Sequence, residues 1–112
     1  MSEKFEFFIA GVQFHQAKTV INEIEVGDEI LMEPEPSNKY DPNAIKLMYG
    51  DTMLGYVPAK FSGSVSAFLE TADDPICEIT YVNPKAKTYE QLKVIIKDYT
   101  EEALEDVEED EE

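Results

Sequence analysis

Short apolar runs separated by frequent turn residues occupy most of the first hundred positions of the chain. The run from Phe5 to Phe14 is aromatic, nearly uncharged and too short for a buried helix. It predicts a central strand with a bulge or bend at Gly11. Residues 19–26 fit either a strand or a helical turn that leads into the turn at Gly27-Asp28, and residues 29–33 predict a second strand.

A hairpin and a helix are predicted in the middle of the chain. Residues 44–49 and 52–57 flank Gly50-Asp51, a two-residue connection typical of a hairpin. Pro58 suits the first helical position, where no amide donor is needed. Apolar residues then recur at helical spacing and predict one amphipathic helix from Pro58 to Glu70. These residues are Phe61, Val65, Phe68 and Leu69.

Two further strands are predicted at residues 76–82 and 91–99, on either side of a turn at Asn83-Pro84-Lys85. Roughly six short strands and one helix, without a βαβ rhythm, indicate a mainly β domain over residues 1–99. We expect a small six-stranded β-barrel, OB-like or SH3-like, crossed by the amphipathic helix. Residues 100–112 predict an acidic C-terminal tail that is either a short helix or disordered.

The charge of the chain is strongly unbalanced. Its 112 residues, enough for one domain, carry 25 acids against nine bases, which gives a formal net charge of −16. Nine acids follow Thr100, so sixteen acids and all nine bases lie before the tail. Every base is lysine. The lack of arginine bears on nucleic acid, because arginine is the usual bidentate partner of phosphate and guanine.

Several function classes find no support in the sequence. The single cysteine, Cys77, excludes an internal disulfide or a cysteine-based zinc site and is expected to be a buried apolar residue. His15 has no spaced metal-binding partners, and neither a nucleophile–histidine–acid set nor a phosphate-binding glycine loop is evident. We therefore expect a non-enzymatic protein without cofactor or metal. The N-terminus lacks a signal and no apolar run could span a membrane, which predicts a soluble cytoplasmic protein without membrane contacts.

Residues 33–45, here called the proline loop, hold the most unusual chemistry. Three prolines rule out regular structure up to Pro42, and Asp41 and Asn43 suit a turn held by side chain to amide bonds. Tyr40 and Asp41 are therefore presented on a stiffened loop at the entrance to a sheet, a usual place for a binding residue. The alternative is a rigid hairpin connection without a binding role.

The stretch from Ile9 to Leu69 resembles the HIRAN domain, a small β-barrel found fused to Snf2-type helicases and as free-standing bacterial and phage proteins. The resemblance rests on Ile9-Ala10-Gly11-Val12, on Val26-Gly27-Asp28 and on the proline loop, whose Asn-x-Tyr-Asp-x-Asn-Ala-Ile run is specific. It continues in Leu54-Gly55-Tyr56-Val57-Pro58 and covers a little over half of the chain.

This resemblance implies a module that captures the free 3′ end of single-stranded DNA, in DNA repair or processing. Aromatic rings would stack on the terminal bases, and an aspartate would accept a hydrogen bond from the 3′-hydroxyl. The tyrosine–aspartate pair falls on Tyr40 and Asp41, and the further aromatics fall on Phe14 and Tyr56. Three lysines, Lys39, Lys46 and Lys60, are expected close to the pocket, and Lys39 and Lys60 are candidates for contacting the DNA.

The sequence departs from the family pattern at two cationic positions. Gln13 stands where the DNA-binding relative has a basic residue, and Pro34 and Glu35 stand where an arginine is usual. Because counterion release from cationic contacts supplies most nucleic-acid affinity, we expect weak, salt-dependent binding.

Each candidate has a structural alternative. Tyr40 and Tyr56 would then only cover the barrel end, Asp41 would only cap its turn, and Phe14 would belong to the core. The alternative function is an acidic protein-interaction adaptor, whose surface and tail bind a basic DNA-processing partner by imitating nucleic acid. The sequence leaves the oligomeric state open.

Overall fold

Six antiparallel strands in two three-stranded sheets make up the fold in a computed structural model that describes residues 3–100. The order is β1-β6-β5 in one sheet and β2-β3-β4 in the other. The strands are β1 Phe5–Phe8, β2 Leu31–Pro34, β3 Ile45–Tyr49, β4 Thr52–Tyr56, β5 Pro75–Val82 and β6 Leu92–Asp98. Two α-helices, α1 Ala17–Val20 and α2 Ala59–Thr71, accompany two 3-10 turns, Val12–Phe14 and Thr88–Glu90. The predicted mainly β class is confirmed.

The two sheets are connected by single bridges and not by continuous strand pairing. Ala10 pairs with Tyr56 just beyond the end of β1, and Glu29 pairs with Glu78 just before β2. Ala10 and Tyr56 exchange both of their backbone N–H···O bonds, each 2.9 Å long. Within residues 3–100 the strand pairing therefore does not close a barrel, and the predicted six-stranded β-barrel is not confirmed.

The first strand is shorter than predicted, and this changes the position of Phe14. β1 ends at Phe8, and Gly11 adopts φ 72°, a left-handed conformation that favours glycine and turns the chain. The predicted bend at Gly11 is confirmed, but Phe14 lies in a 3-10 turn and not on the first strand. Its side chain is 78% exposed, so the alternative that Phe14 belongs to the core is wrong.

The hairpin, the long helix and the last two strands match their predictions to within one or two residues. For residues 19–26, the helical alternative fits better, since α1 ends at Val20 and turns follow it. The second strand begins two residues later than predicted, at Leu31. The acidic tail falls outside the described residues apart from Thr100.

Helix α2 packs along β1 through pairs of aromatic rings. Phe61 stacks on Phe7 with ring centroids 5.5 Å apart, and Phe68 meets Phe5 edge-on at 5.7 Å. Burying one such ring stabilises the fold by about 1.5–3 kcal/mol. This more than offsets the cost of about 1 kcal/mol for the helical glycine, Gly63. Packing therefore holds this helix in place despite its low intrinsic propensity.

The core is mostly aliphatic, with the rings of Phe7 and Phe68 added to it, and lies between the two sheets and α2. Its most completely buried side chains are Ile9, Ile30, Ile45, Leu47, Leu54, Val65, Cys77, Ile79, Leu92, Val94 and Ile96. Burial raises the pKa of the Cys77 thiol far above its ordinary value, as expected for a small apolar residue. Among residues 3–100, no helix has both the length and the apolar character needed to cross a membrane.

One buried acid was not anticipated from the sequence. The Asp98 carboxylate is 3% exposed and accepts the backbone amides of Asp73, Asp74 and Thr100, at 3.0, 3.3 and 2.9 Å. These donors satisfy a charge whose burial would otherwise be costly. Asp98 thus fixes the chain where α2 leads into β5.

Candidate functional site

The side chain of Asn38 organises the proline loop. Its Oδ1 accepts the backbone amides of Tyr40 and Asp41 at 2.9 and 3.0 Å, and its Nδ2 donates to Oε1 of Glu35 at 2.8 Å. The Asn43 amide donates to Oδ1 of Asp41 at 2.9 Å, which confirms the predicted side chain to amide turn. The loop is held from within, and the Tyr40 side chain extends from it with 95% of its surface exposed.

Tyr56 is tied to the same loop from the neighbouring strand β4. Its hydroxyl donates to Oε1 of Glu35 at 2.8 Å. Hydrogen bonds from Asn38 and then Tyr56, aided by the charge of Lys46, lower the pKa of the Glu35 carboxyl. Burial, followed by the hydrogen bond to Glu35, raises the pKa of the Tyr56 phenol. At neutral pH the pair is therefore a phenol donating to a carboxylate.

Asp41 connects the loop to helix α2. Its Oδ2 accepts the hydroxyl of Ser62 at 2.7 Å, and Ser62 is itself only 2% exposed. The carboxylate remains half-exposed. A carboxylate offers about four lone-pair positions, and two of those on Asp41 are occupied by Asn43 and Ser62. Asp41 is thus oriented by the protein and still able to accept a further hydrogen bond.

These residues border one open pocket of about 240 Å³, here called the Tyr40 pocket. Three residues predicted from the sequence, Tyr40, Asp41 and Tyr56, lie together on its wall. The remaining wall is mostly apolar and comes from Ala10, Asn38, Ala44, Val57 and Ala59. Its floor includes the bridge between Ala10 and Tyr56 that joins the two sheets. The wall combines rings, methyl groups and one oriented carboxylate.

Three other predicted residues lie near this pocket without lining it. Phe14 is exposed on the 3-10 turn beside His15, whose ring meets Tyr56 edge-on at a centroid distance of 5.7 Å. Lys39 is exposed on the loop next to Tyr40. Lys60 faces a neighbouring groove, with its Nζ 5.2 Å from the centre of the Phe61 ring.

Local charge around the pocket is mixed. Lys46 lies 3.8 Å from carboxylate oxygens of both Glu33 and Glu35, so its charge is largely matched. The first turn of α2 contains no acidic residue. The amino end of a helix carries a partial positive charge, and the carboxylate beside it here is that of Asp41, which accepts the hydroxyl of Ser62.

Sequence reasoning missed the residues that position the others. Asn38 begins the Asn-x-Tyr-Asp run and Glu35 lies three residues before it, so both could have been found from the family resemblance. Ser62 offered none, because it lies 21 residues beyond Asp41 in a serine-rich helix. His15, which stood alone in the sequence without metal-binding partners, is half-buried against Tyr56.

Comparison with known proteins gives one relative by sequence and two solved structures by fold. The chain is 36% identical over 72 residues to a Fanconi-associated nuclease 1 homolog of Arabidopsis thaliana. That match covers 63% of this chain but 8% of the relative, so the chain spans a small part of that protein's length.

Two solved structures have the same fold. The HIRAN domain of human HLTF superposes with a TM-score of 0.66 at 12% identity, covering 84% of this chain and 73% of that one. A protein from Lactobacillus plantarum superposes with a TM-score of 0.70 at 16% identity, covering 87% and 97%. The family model described as the HIRAN domain matches residues 2–98. The chain therefore belongs to the HIRAN domain family.

Proposed function

We propose that this chain binds the free 3′-hydroxyl ends of single-stranded DNA through the Tyr40 pocket, as a non-enzymatic module in DNA repair or processing. HIRAN domains bind single-stranded DNA. The observation that carries the proposal for this chain is the position of Asp41, an oriented and still accessible carboxylate that lines the same pocket as two tyrosine rings.

Stacking supplies the sequence-independent part of the binding. The exposed Tyr40 ring and the ring of Tyr56 flank the pocket, and Phe14 offers a further exposed ring nearby. Each stacked base contributes about 1–3 kcal/mol, largely independent of charge. Two stacked bases therefore supply enough free energy for weak binding even in a chain with a net charge of −16.

Asp41 supplies the preference for a particular strand end. A 3′-hydroxyl donates a hydrogen bond to its carboxylate, whereas a 3′-phosphate brings two negative charges together. The same carboxylate disfavours an internal phosphate at this position. An anionic side chain thus selects a hydroxyl end from an anionic polymer.

Cationic support is limited to lysines. Lys39 beside Tyr40 and Lys60 at the start of α2 favour binding of the DNA backbone. Because few phosphates are neutralised, affinity is modest and falls with salt with a shallow slope.

Fluorescence anisotropy at low salt tests the proposal with labelled oligonucleotides that end in a 3′-hydroxyl or a 3′-phosphate. The wild type is expected to prefer the hydroxyl end by about five- to tenfold, as for one added hydrogen bond. Asp41→Asn should remove the preference. Tyr40→Ala should weaken both complexes by about fivefold or more. Tyr89→Ala, which removes another exposed tyrosine, is the matched control.

Equal affinity for both ends would remove the proposed role of Asp41, and absent binding would refute the function. The alternative function, an acidic adaptor, is supported by the charge of −16. The two hypotheses differ in the effect expected from deleting the acidic tail. Deleting residues 101–112 removes nine acids and should strengthen oligonucleotide binding by reducing repulsion. In the adaptor hypothesis, the same deletion abolishes binding to a basic partner and no oligonucleotide binds.

A further inference from the structure

A second open cleft of about 390 Å³, here called the Phe61 groove, lies beside the Tyr40 pocket. Its wall is formed by Glu6, Phe7, Phe8, Pro58, Lys60, Phe61 and Lys93. The two sites share one stretch of chain, since Val57 and Ala59 line the pocket whereas Pro58 and Lys60 line the groove. A strand that enters one site is therefore within reach of the other.

The groove places two ammonium groups over two aromatic rings. Nζ of Lys60 is 5.2 Å from the centre of the Phe61 ring, and Nζ of Lys93 is 5.1 Å from that of Phe8. Phe8 and Lys93 are cross-strand neighbours in the pairing of β1 with β6, so their side chains share a sheet face. The cations and rings are held by a strand pair and a helix, and not by mobile loops.

Neither lysine of the groove is matched by a carboxylate. Within residues 3–100, neither Lys60 nor Lys93 forms an ion pair, although Glu6 also lines the groove. Lys46 and Lys97, by contrast, are paired with glutamates. In a chain with 25 acids, two unpaired cations in one aromatic groove indicate a site for an anion that also has a flat π-face.

Building on the proposed function, we infer that the Phe61 groove binds the nucleotides that precede the terminal ones of the same strand. Lys60 and Lys93 contact phosphates, and the Phe61 ring, supported from below by Phe7, carries a base. An exposed cation–π contact is weaker than base stacking, so the Lys60 ammonium leaves its ring for a phosphate when a base arrives. The groove thus gives the module a footprint longer than its end pocket.

The test compares 3′-hydroxyl oligonucleotides of about two and about eight nucleotides, since single OB-type folds cover about 4–16. By anisotropy, the wild type should bind the longer strand more tightly and with a steeper salt dependence. Lys60→Gln with Lys93→Gln should weaken the longer complex by about three- to tenfold. The shorter complex should lose less, and Lys93→Gln alone, which lies outside the Tyr40 pocket, should leave it unchanged. The double variant should also reduce the slope of log K against log salt by about 1.4, or 0.7 for each lost phosphate contact.

Lys85→Gln, the same change in charge at a turn outside the groove, is the control and should alter neither complex. Tyr40→Ala should weaken both complexes. If the double lysine variant binds the longer strand as tightly as the wild type does, the proposed role of the Phe61 groove is refuted, whereas the proposed function of the Tyr40 pocket is unaffected. If the wild type binds neither oligonucleotide, the proposed function fails and the groove fails with it.

Discussion

The hydroxyl of Ser62 donates to Oδ2 of Asp41 over 2.7 Å and so fixes the proline loop to the first turn of α2. Ser62 is buried while Asp41 is half-exposed, so the Asp41 carboxylate is hydrogen-bonded to the protein on one side and accessible to solvent on the other. The orientation of the acid at the Tyr40 pocket therefore depends on a residue in a different element.

Replacing Ser62 with alanine should lower both stability and end preference. The loss of one hydrogen bond to a charged, half-exposed acceptor should reduce the free energy of unfolding by about 1 kcal/mol. Ser64→Ala on the same helix is exposed and brings the same gain in helix propensity, so it is the reference in urea unfolding. In anisotropy, Ser62→Ala should also narrow the preference for 3′-hydroxyl ends. An unchanged preference would mean that Asp41 needs no support from the helix.

Tyr56 has two separable contributions, a hydroxyl that holds the loop and a ring that faces the pocket. Tyr56→Phe keeps the ring but leaves Glu35 with one donor fewer, so it should reduce the free energy of unfolding by about 1 kcal/mol. Oligonucleotide affinity should change little in this variant and fall by about fivefold or more in Tyr56→Ala. Tyr89→Phe serves as the control for loss of an exposed hydroxyl. A large loss of affinity in Tyr56→Phe would show that the ring is not the binding element.

The loop should weaken at acid pH through Glu35. Its pKa is lowered from 4.5 by hydrogen bonds from Asn38 and Tyr56, so its contribution to stability is present above pH 4.5. That contribution is lost as pH falls through the lowered pKa. Thermal unfolding of wild type and Glu35→Gln should therefore differ most at neutral pH and converge in acid. A difference that stays constant with pH would contradict this assignment.

At alkaline pH the hydrogen bond between Tyr56 and Glu35 is lost when the Tyr56 phenol ionises. Its pKa is raised above 10.0, so the phenol stabilises the fold fully below pH 10.0 and loses this effect as pH rises through the raised pKa. The ultraviolet absorbance of tyrosinate in wild type and Tyr56→Phe reports this titration directly. The difference spectrum should titrate above pH 10.0, and titration at or below that value would contradict the hydrogen bond to Glu35.

Two glycines should respond to alanine with opposite signs. A Cβ on Gly55 would overlap the Ala10 carbonyl oxygen and lie 2.8 Å from Cγ2 of Ile9. Gly55→Ala should therefore cost about 1–3 kcal/mol, because it pushes apart the strands that meet beneath the Tyr40 pocket. Gly63→Ala, on the exposed face of α2 with only ordinary contacts, should gain about 0.5–1 kcal/mol. Chemical unfolding of the two variants measures both signs.

Local patterns sufficed for most of the secondary structure. Alternation around Gly50-Asp51 predicted the hairpin, and helical spacing after Pro58 predicted α2, because both depend on neighbours in sequence. The aromatic run from Phe5 was predicted as one strand, but the left-handed Gly11 and the bridge of Ala10 to Tyr56 end it early. The pairing of Ala10 with Tyr56 joins residues 46 positions apart, so no local sequence pattern predicts it.

The candidate site was predictable in part for the same reason. Tyr40 and Asp41 stand out on a proline-rich loop, and their family resemblance names them as a pair. The contact of Ser62 with Asp41 and the packing of His15 on Tyr56 arise only when distant segments meet. Sequence identified the groups that we propose contact a ligand, and the structure was needed for those that orient them.

The backbone bridge of Ala10 with Tyr56 implies that ligand binding in the Tyr40 pocket should stabilise the folded chain. Within residues 3–100 it is one of two isolated β-bridges between the sheets, and its two residues line the pocket in which a base would stack. A ligand that binds this pocket wall stabilises the folded state, because the wall exists only while the bridge is formed. At a concentration one hundred times its dissociation constant, such a ligand adds about 2.7 kcal/mol against global opening. Protease digestion of the chain should slow in proportion to the fraction of molecules occupied.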